Sequence, residues 1–270
     1  MPHRREFLRP GSTRRERTPQ QIAAAAGTPY DYPATKVGAS GKVTMYYDPA
    51  LGTSGQQLAT QLLQHVTKPY TDMQAFFGVT GGATDVIIAP LSGSNDGSGG
   101  AYHYGCDFTS GGVLYLDATF ASTSANPLQL EIGLYVAEVS EAFMGVQGGG
   151  WNCGYSNGEG LSRFCAEQET TKGTLDEFAT GPAWAKAGMP DWVSKTDTTD
   201  QNDVSTGCAI VYIYWMRSLG NPIPRIVQAA GATLAANYQT LTGKTTAYQD
   251  LVAAVRGRSV TSDDPFGVTA

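Results

Sequence analysis

Apolar and polar positions alternate at Val43, Met45 and Tyr47, with Thr44 and Tyr46 between them. This period of two predicts a half-buried strand, which Asp48-Pro49 brings to an end. From Gln56 to Phe77 the period changes: residues 58, 62, 66, 70, 73 and 77 recur at helical intervals, and Pro69 predicts a kink or a break. Asp85-Val-Ile-Ile-Ala89 is apolar at successive positions, as in a strand covered on both faces. A Gly/Ser loop over 91–100 leads to a short strand in Ala101-Tyr-His-Tyr-Gly-Cys106 and another at Gly112-Val-Leu-Tyr-Leu-Asp117.

Beyond this point the pattern turns helical. Pro127 to Gly145 reads as a helix with Glu131, Leu134, Glu138 and Glu141 along one stripe and Ile132, Val136, Val139 and Phe143 elsewhere. A helix this apolar belongs in the interior, where each carboxylate needs a cation, a hydrogen bond or a proton of its own. A plainer arrangement leaves Glu131 exposed and gives the others loop amides or Arg163 as partners. Ser156-Asn-Gly-Glu159 opens the next helix in the form of a capping box, with Arg163 one turn further on. Between Thr170 and Gly207 the chain is polar, and Asp191, Asp197, Asp200 and Asp203 are placed to cap turns and helix starts rather than to form a calcium loop. Ala209 to Met216 is apolar all round and predicts a central helix; Pro224–Gly231, Thr233–Leu241 and Ala247–Val255 complete a helical lobe.

Two segments carry candidate chemistry: Leu134-Tyr-Val-Ala-Glu-Val-Ser-Glu-Ala-Phe143 and Asn157-Gly-Glu-Gly-Leu-Ser-Arg163. Together they resemble the two motif helices of gluzincin metallopeptidases, in which H-E-x-x-H precedes a glutamate in an N-E-G-L-like setting. The resemblance implies an α+β, zincin-like fold: a small N-terminal mixed sheet with a long helix, two motif helices and a C-terminal helical lobe. It spans residues 41–258, with a sheet lobe at 41–145 and a helical lobe at 146–258. Val113 to Leu116 would be the edge strand above the site. By resemblance Glu138 stands at the general base and Glu141 and Glu159 at the second and third metal ligands, but Ala137 occupies the first-ligand position.

A zincin needs three protein ligands and an open position on the metal. Only His3, His65 and His103 are available. His103 is the one whose strand could approach the cleft, and His65 reads as a partly buried helix residue. Carboxylates alone make a hard, oxygen-rich site better suited to calcium or magnesium than to zinc. The expected function is therefore a catalytically degenerate metallopeptidase-like domain serving as a structural or binding component of a larger assembly, with no cofactor. The alternative is an active metal-dependent hydrolase with Glu138 as general base and zinc or calcium held by Glu141, Glu159 and His103. No G-x-S-x-G elbow or recognised cysteine setting offers another nucleophile.

Composition narrows the partners. The net charge is −6, yet residues 1–17 hold six arginines against Glu6 and Glu16, a balance of +4 that leaves −10 on the remainder. An acidic body argues against nucleic-acid binding, and no apolar run approaches the ~20 residues that span a bilayer. Residues 1–40 read as a basic extended arm that would contact partner proteins or copies of the chain, and 259–270 as a polar tail. The twin arginines after His3 lack the apolar segment of an export signal. An extracellular or virion-like assembly is the setting this arrangement favours. Of the four cysteines, Cys106, Cys153, Cys165 and Cys208, a Cys153–Cys208 bridge is expected because both residues sit at loop-to-helix junctions, and Cys165 is expected to be a buried free thiol.

Overall fold

The computed structural model describes residues 29–91, 100–103, 112–118 and 126–268. Residues 1–28 of the expected arm, most of the Gly/Ser loop and Cys106 lie outside these. The fold is α+β, a five-stranded mixed sheet with, among the described residues, nine α-helices.

The strands are β1 (Thr35–Ser40), β2 (Val43–Tyr47), β3 (Thr84–Ala89), β4 (Ala101–His103) and β5 (Gly112–Asp117). Their order across the sheet is β1-β2-β3-β5-β4. The central pairings β2/β3 and β3/β5 are parallel, while the outer pairings β1/β2 and β5/β4 are antiparallel. The edge strand beside the site is therefore β4. The Val113–Leu116 segment expected at the edge lies inside, paired on both sides. Thr35–Ser40, read from sequence as part of the arm, forms the opposite edge.

Side-chain alternation divides the sheet into two faces. Val43, Met45, Val86, Ile88, Leu114 and Leu116 enter the main core with the helices. Ile87, Ala89, Tyr102 and Tyr115 point the other way, where Tyr32 and Leu91 cover them. The cross-strand pair Tyr102 and Tyr115 stacks with ring centroids 4.6 Å apart. Tyr102 also donates to the Asp31 carboxylate over 2.9 Å, and the Asp31 amide donates to the Tyr115 hydroxyl over 3.0 Å. The segment just before β1 is thus fastened over the second face.

The helical run between β2 and β3 divides into α1 (Gly52–Leu63) and α2 (Thr67–Phe77). The break falls just before Pro69, which occupies the first turn of α2, where no intrahelical amide is required. His65 lies exposed in the intervening turn, contrary to the partly buried position expected of it.

Helix α3 (Pro127–Gln147) is the centre of the molecule, buried continuously from Leu130 to Met144. Asn126 caps its start by accepting from the Gln129 amide, Pro127 takes the first position, and Gly148 ends it at φ 61°. It packs against α1, α2, β4, β5 and α4 (Ser156–Glu169). Beyond α4 come α5 (Gly181–Lys186), α6 (Asp203–Ser218), α7 (Ile223–Ala229), α8 (Leu234–Thr242) and α9 (Ala247–Val255). As expected, α6 is buried all round from Ser205 to Met216. Among the described residues, no helix is long and apolar enough to cross a membrane.

Candidate functional site

The predicted carboxylates come together in the interior, joined by two residues from elsewhere. Helix α3 supplies Glu138 and Glu141, one turn apart and both essentially without solvent exposure. Strand β4 supplies His103 on the helix-facing side, because alternation sends Tyr102 to the opposite face. The loop between α3 and α4 brings in Cys153, and the first turn of α4 brings in Glu159, 1% exposed.

Two contacts define the geometry. His103 Nδ1 lies 2.7 Å from Glu138 Oε2, and His103 Nε2 lies 4.0 Å from Cys153 Sγ. One donor atom each from His103, Glu141 and Cys153 falls within 4.8 Å of the other two, so the group could hold a metal ion. The donor set is thus nitrogen, oxygen and sulfur rather than the all-oxygen set expected from the carboxylates alone, and it suits zinc better than calcium. Ala137, at the first-ligand position, is packed into the core.

Burial dominates the electrostatics. It raises the pKa of Glu138, an effect opposed by the hydrogen bond and charge of His103. Glu141 is pushed well above the usual carboxylate range, first by burial and then by the charges of Glu159 and Glu138. Glu159 moves the same way through burial; the Arg163 charge opposes the shift, while Asp200 and Glu138 add to it. Among the described residues, both oxygens of Glu141 and Oε1 of Glu159 lack a hydrogen-bond partner, although the two carboxyls influence one another's protonation. Glu131, expected at the surface in the plainer arrangement, is completely buried. Burial and the neighbouring Asp117 raise its pKa to about 8.

The capping box does not form. Tyr155 occupies the N-cap position of α4 and makes no side-chain cap bond. Ser156 is instead tied to the 197 segment, its amide donating to the Asp197 carbonyl and its hydroxyl accepting from the Asp197 amide, each over 3.0 Å. Arg163 donates to the Phe178 carbonyl over 2.9 Å. Glu159 is therefore released from the structural task that its spacing suggested.

The glycines of Asn157-Gly-Glu-Gly have a packing reason. A Cβ on Gly158 would come within 2.0 Å of the Asn152 carbonyl oxygen, and one on Gly160 within 2.5 Å of the Ala209 Cβ on α6. The motif is held by close chain crossings, whatever occupies the site.

The expected Cys153–Cys208 bridge is absent. Cys208 is a buried free thiol in α6, and Cys165 is free and buried, as predicted. Cys153 is disulfide-bonded. The junctions of α4 and α6 had suggested the pair, but α6 buries Cys208 among core side chains while Cys153 faces His103. Of the aspartates, Asp191 accepts from the amides of Val193 and Ser194, and Asp197 accepts from Asn202 and the Ser205 hydroxyl at the start of α6. Asp191 performs the turn role expected of it, whereas the start of α6 is capped by Asn202, which accepts from the Val204 amide, and Asp197 only braces that cap through side-chain bonds.

His103 was legible only as a candidate, because nothing in its local spacing ties it to α3. The signal that could have strengthened it is the alternation of Ala101-Tyr-His, which puts position 103 on the core face if Tyr102 lies outside. No family model, curated protein or solved structure matches the chain.

Proposed function

We propose that this domain is a degenerate relative of gluzincin metallopeptidases that does not hydrolyse peptide bonds and acts as a structural or binding component of a larger assembly. One observation carries the reading: the Glu138 carboxyl, at the position of the general base, is 1% exposed and engaged by His103 at 2.7 Å. A general base must reach the proton of a water that attacks substrate. Glu138 is buried and committed to an imidazole, and Ala137 contributes no ligand beside it. Of the arm expected over residues 1–40, residues 1–28, ahead of the sheet, would supply the contact with partner subunits or copies of the chain, and the disulfide at Cys153 suits an oxidising, extracellular setting.

The second reading is an active metal-dependent hydrolase with Glu138 as base. It is favoured by His103 and Glu141, whose donor atoms lie within 4.8 Å of one another and of Cys153, with Glu159 close enough to Glu141 to act on its charge. Zinc supplied to the chain would act as a Lewis acid there; His103 and Glu141 would hold it, and calcium would lack its usual six to eight oxygens.

Peptidase assays on zinc-supplemented protein, with Glu138→Gln as background, separate the two. No difference between the proteins is expected. Peptide cleavage that is lost both in Glu138→Gln and on chelation would establish the hydrolase instead. The arm is tested by removing residues 1–28, which leaves β1 in place, and measuring particle size by light scattering. A smaller assembly is expected, and an unchanged size would remove the role given to the arm.

A further inference from the structure

We propose that His103, Glu141 and Cys153 form a redox-gated metal site: reduction of the disulfide at Cys153 releases a sulfur ligand, and the three side chains then bind one divalent cation of the zinc type. The inference goes beyond the non-peptidase reading and is independent of it, since a metal can be held without peptide cleavage.

The three donor atoms already lie close together. Their mutual distances of at most 4.8 Å, and the 4.0 Å from Nε2 to Sγ, compare with about 3.6 Å between nitrogen and sulfur on a tetrahedral zinc. A contraction of a few tenths of an ångström between those two atoms closes the gap, small enough for side-chain rotation alone.

The second observation is Glu141. It is fully buried on the central helix, and among the described residues neither of its oxygens has a hydrogen-bond partner. An unpaired buried carboxyl is costly to keep, and a cation at its oxygens would remove that cost. Glu159, also buried, leaves Oε1 without a partner among the described residues.

Glu138 acquires a different task from the one its motif position implies. An imidazole whose Nδ1–H donates to a carboxylate presents its Nε2 lone pair to a metal, and such a carboxylate fixes the ring and raises its basicity. The 2.7 Å contact from Nδ1 to Oε2 directs Nε2 toward Cys153. Glu138 is therefore a positioning residue for His103.

The gate follows from Cys153 being disulfide-bonded. A disulfide sulfur is a poor ligand, whereas a thiolate is a strong one for zinc. A cellular or added dithiol supplies the reducing equivalents. Its two S–H bonds give way to one S–S bond, the protein S–S bond breaks, and two electrons and two protons pass to the two protein sulfurs. On binding, the cation displaces the Cys153 proton, which leaves to solvent. The site is closed in an oxidising compartment and open in a reducing one.

Cobalt(II) is the direct probe, because a cobalt–thiolate bond adds an ultraviolet charge-transfer band that nitrogen and oxygen ligands do not give. The full chain is titrated with cobalt(II) before and after reduction by a dithiol removed by desalting under argon. One ion per chain with the thiolate band is expected after reduction, bound at least about tenfold more tightly than before it. The band should disappear in reduced Cys153→Ser, and affinity should fall about tenfold or more in Glu141→Gln. Equal binding in the two redox states, a band surviving in Cys153→Ser, or no binding after reduction would each overturn the proposal. If the variants do not fold, X-ray absorption of the reduced, zinc-loaded wild-type chain decides. One sulfur with nitrogen and oxygen neighbours supports the site, and any other sulfur count refutes it. Failure of this test leaves the peptidase assay untouched, so the two ideas fall separately.

Discussion

His103 Nδ1 lies 2.7 Å from Glu138 Oε2, and this contact joins the edge strand of the sheet to the middle of the central helix. Both side chains are buried, so each depends on the other for its polar contact. Among the described residues, β4 contributes three positions to the ladder. The His103–Glu138 contact ties β4 to the central helix, beside the packing of Ala101 in the main core and the Tyr102–Asp31 bond on the other face.

Removing one partner should therefore cost more than weakening both. His103→Ala leaves a buried carboxyl without its imidazole and is expected to destabilise the fold by about 3 kcal/mol. Glu138→Gln retains a polar partner and should cost about 1 kcal/mol. The paired change His103→Leu with Glu138→Leu should cost less than His103→Ala alone, since no polar group is then stranded. Urea unfolding measures all three, and a smaller loss in His103→Ala than in Glu138→Gln would contradict the assignment.

Acid should stabilise this protein where it weakens many others. Glu131 titrates near 8 in the fold, against an ordinary value of 4.5. As pH rises, the unfolded chain gives up that proton first, so the native state binds more protons and stability falls. The stabilisation from neutral Glu131 is fully present below about pH 4.5 and is lost as pH rises toward about 8. Glu138, Glu141 and Glu159 are shifted in the same direction. Across that window the slope from Glu131 alone approaches 1.4 kcal/mol per pH unit. Glu131→Gln should match the parent near pH 4.5 and exceed its stability at pH 8 by a few kcal/mol. Parallel melts at the two pH values check this, and a constant difference would show that Glu131 does not titrate across the window.

The elements were legible where periodicity was long, as in Gln56–Phe77, Pro127–Gly145 and Ala209–Met216. Pairing was less so. The apolar run of Gly112–Asp117 looks the same at an edge or inside a sheet, and β4 is too short to announce itself as the outer strand. The capping box failed for a related reason: Ser156 and Glu159 have the right spacing, but a distant segment around Asp197 takes the serine. At the site, the three glutamates could be read from one helical stripe and one motif. His103 and Cys153 could not be placed, because their meeting depends on the turn of the sheet and the path of the loop after α3. Local pattern records neither.

The crossing of α4 and α6 depends on Gly160. Its missing side chain lets the Ala209 Cβ and the Ile210 amide approach, and an added Cβ would meet them at 2.5 Å and 2.9 Å. Gly160→Ala should push the helices apart and cost about 1–3 kcal/mol despite the better helix propensity of alanine. Thermal unfolding should show the loss in both redox states of Cys153. A rise in melting temperature would mean that the helices do not cross this closely.

Cysteine chemistry separates the observed arrangement from the bridge that spacing suggested. Burial pushes the thiols of Cys165 and Cys208 far up, and neither is presented as a thiolate to an external reagent. In the native chain neither should react with iodoacetamide at neutral pH over minutes. After unfolding without reductant, peptide mapping should find label on Cys165 and Cys208 and none on Cys153, which becomes labelled only when a dithiol is added. Absence of label from Cys208 would restore the Cys153–Cys208 bridge, and label on Cys153 without reductant would leave Cys153 reduced. In the second case the metal site would stand open without a gate.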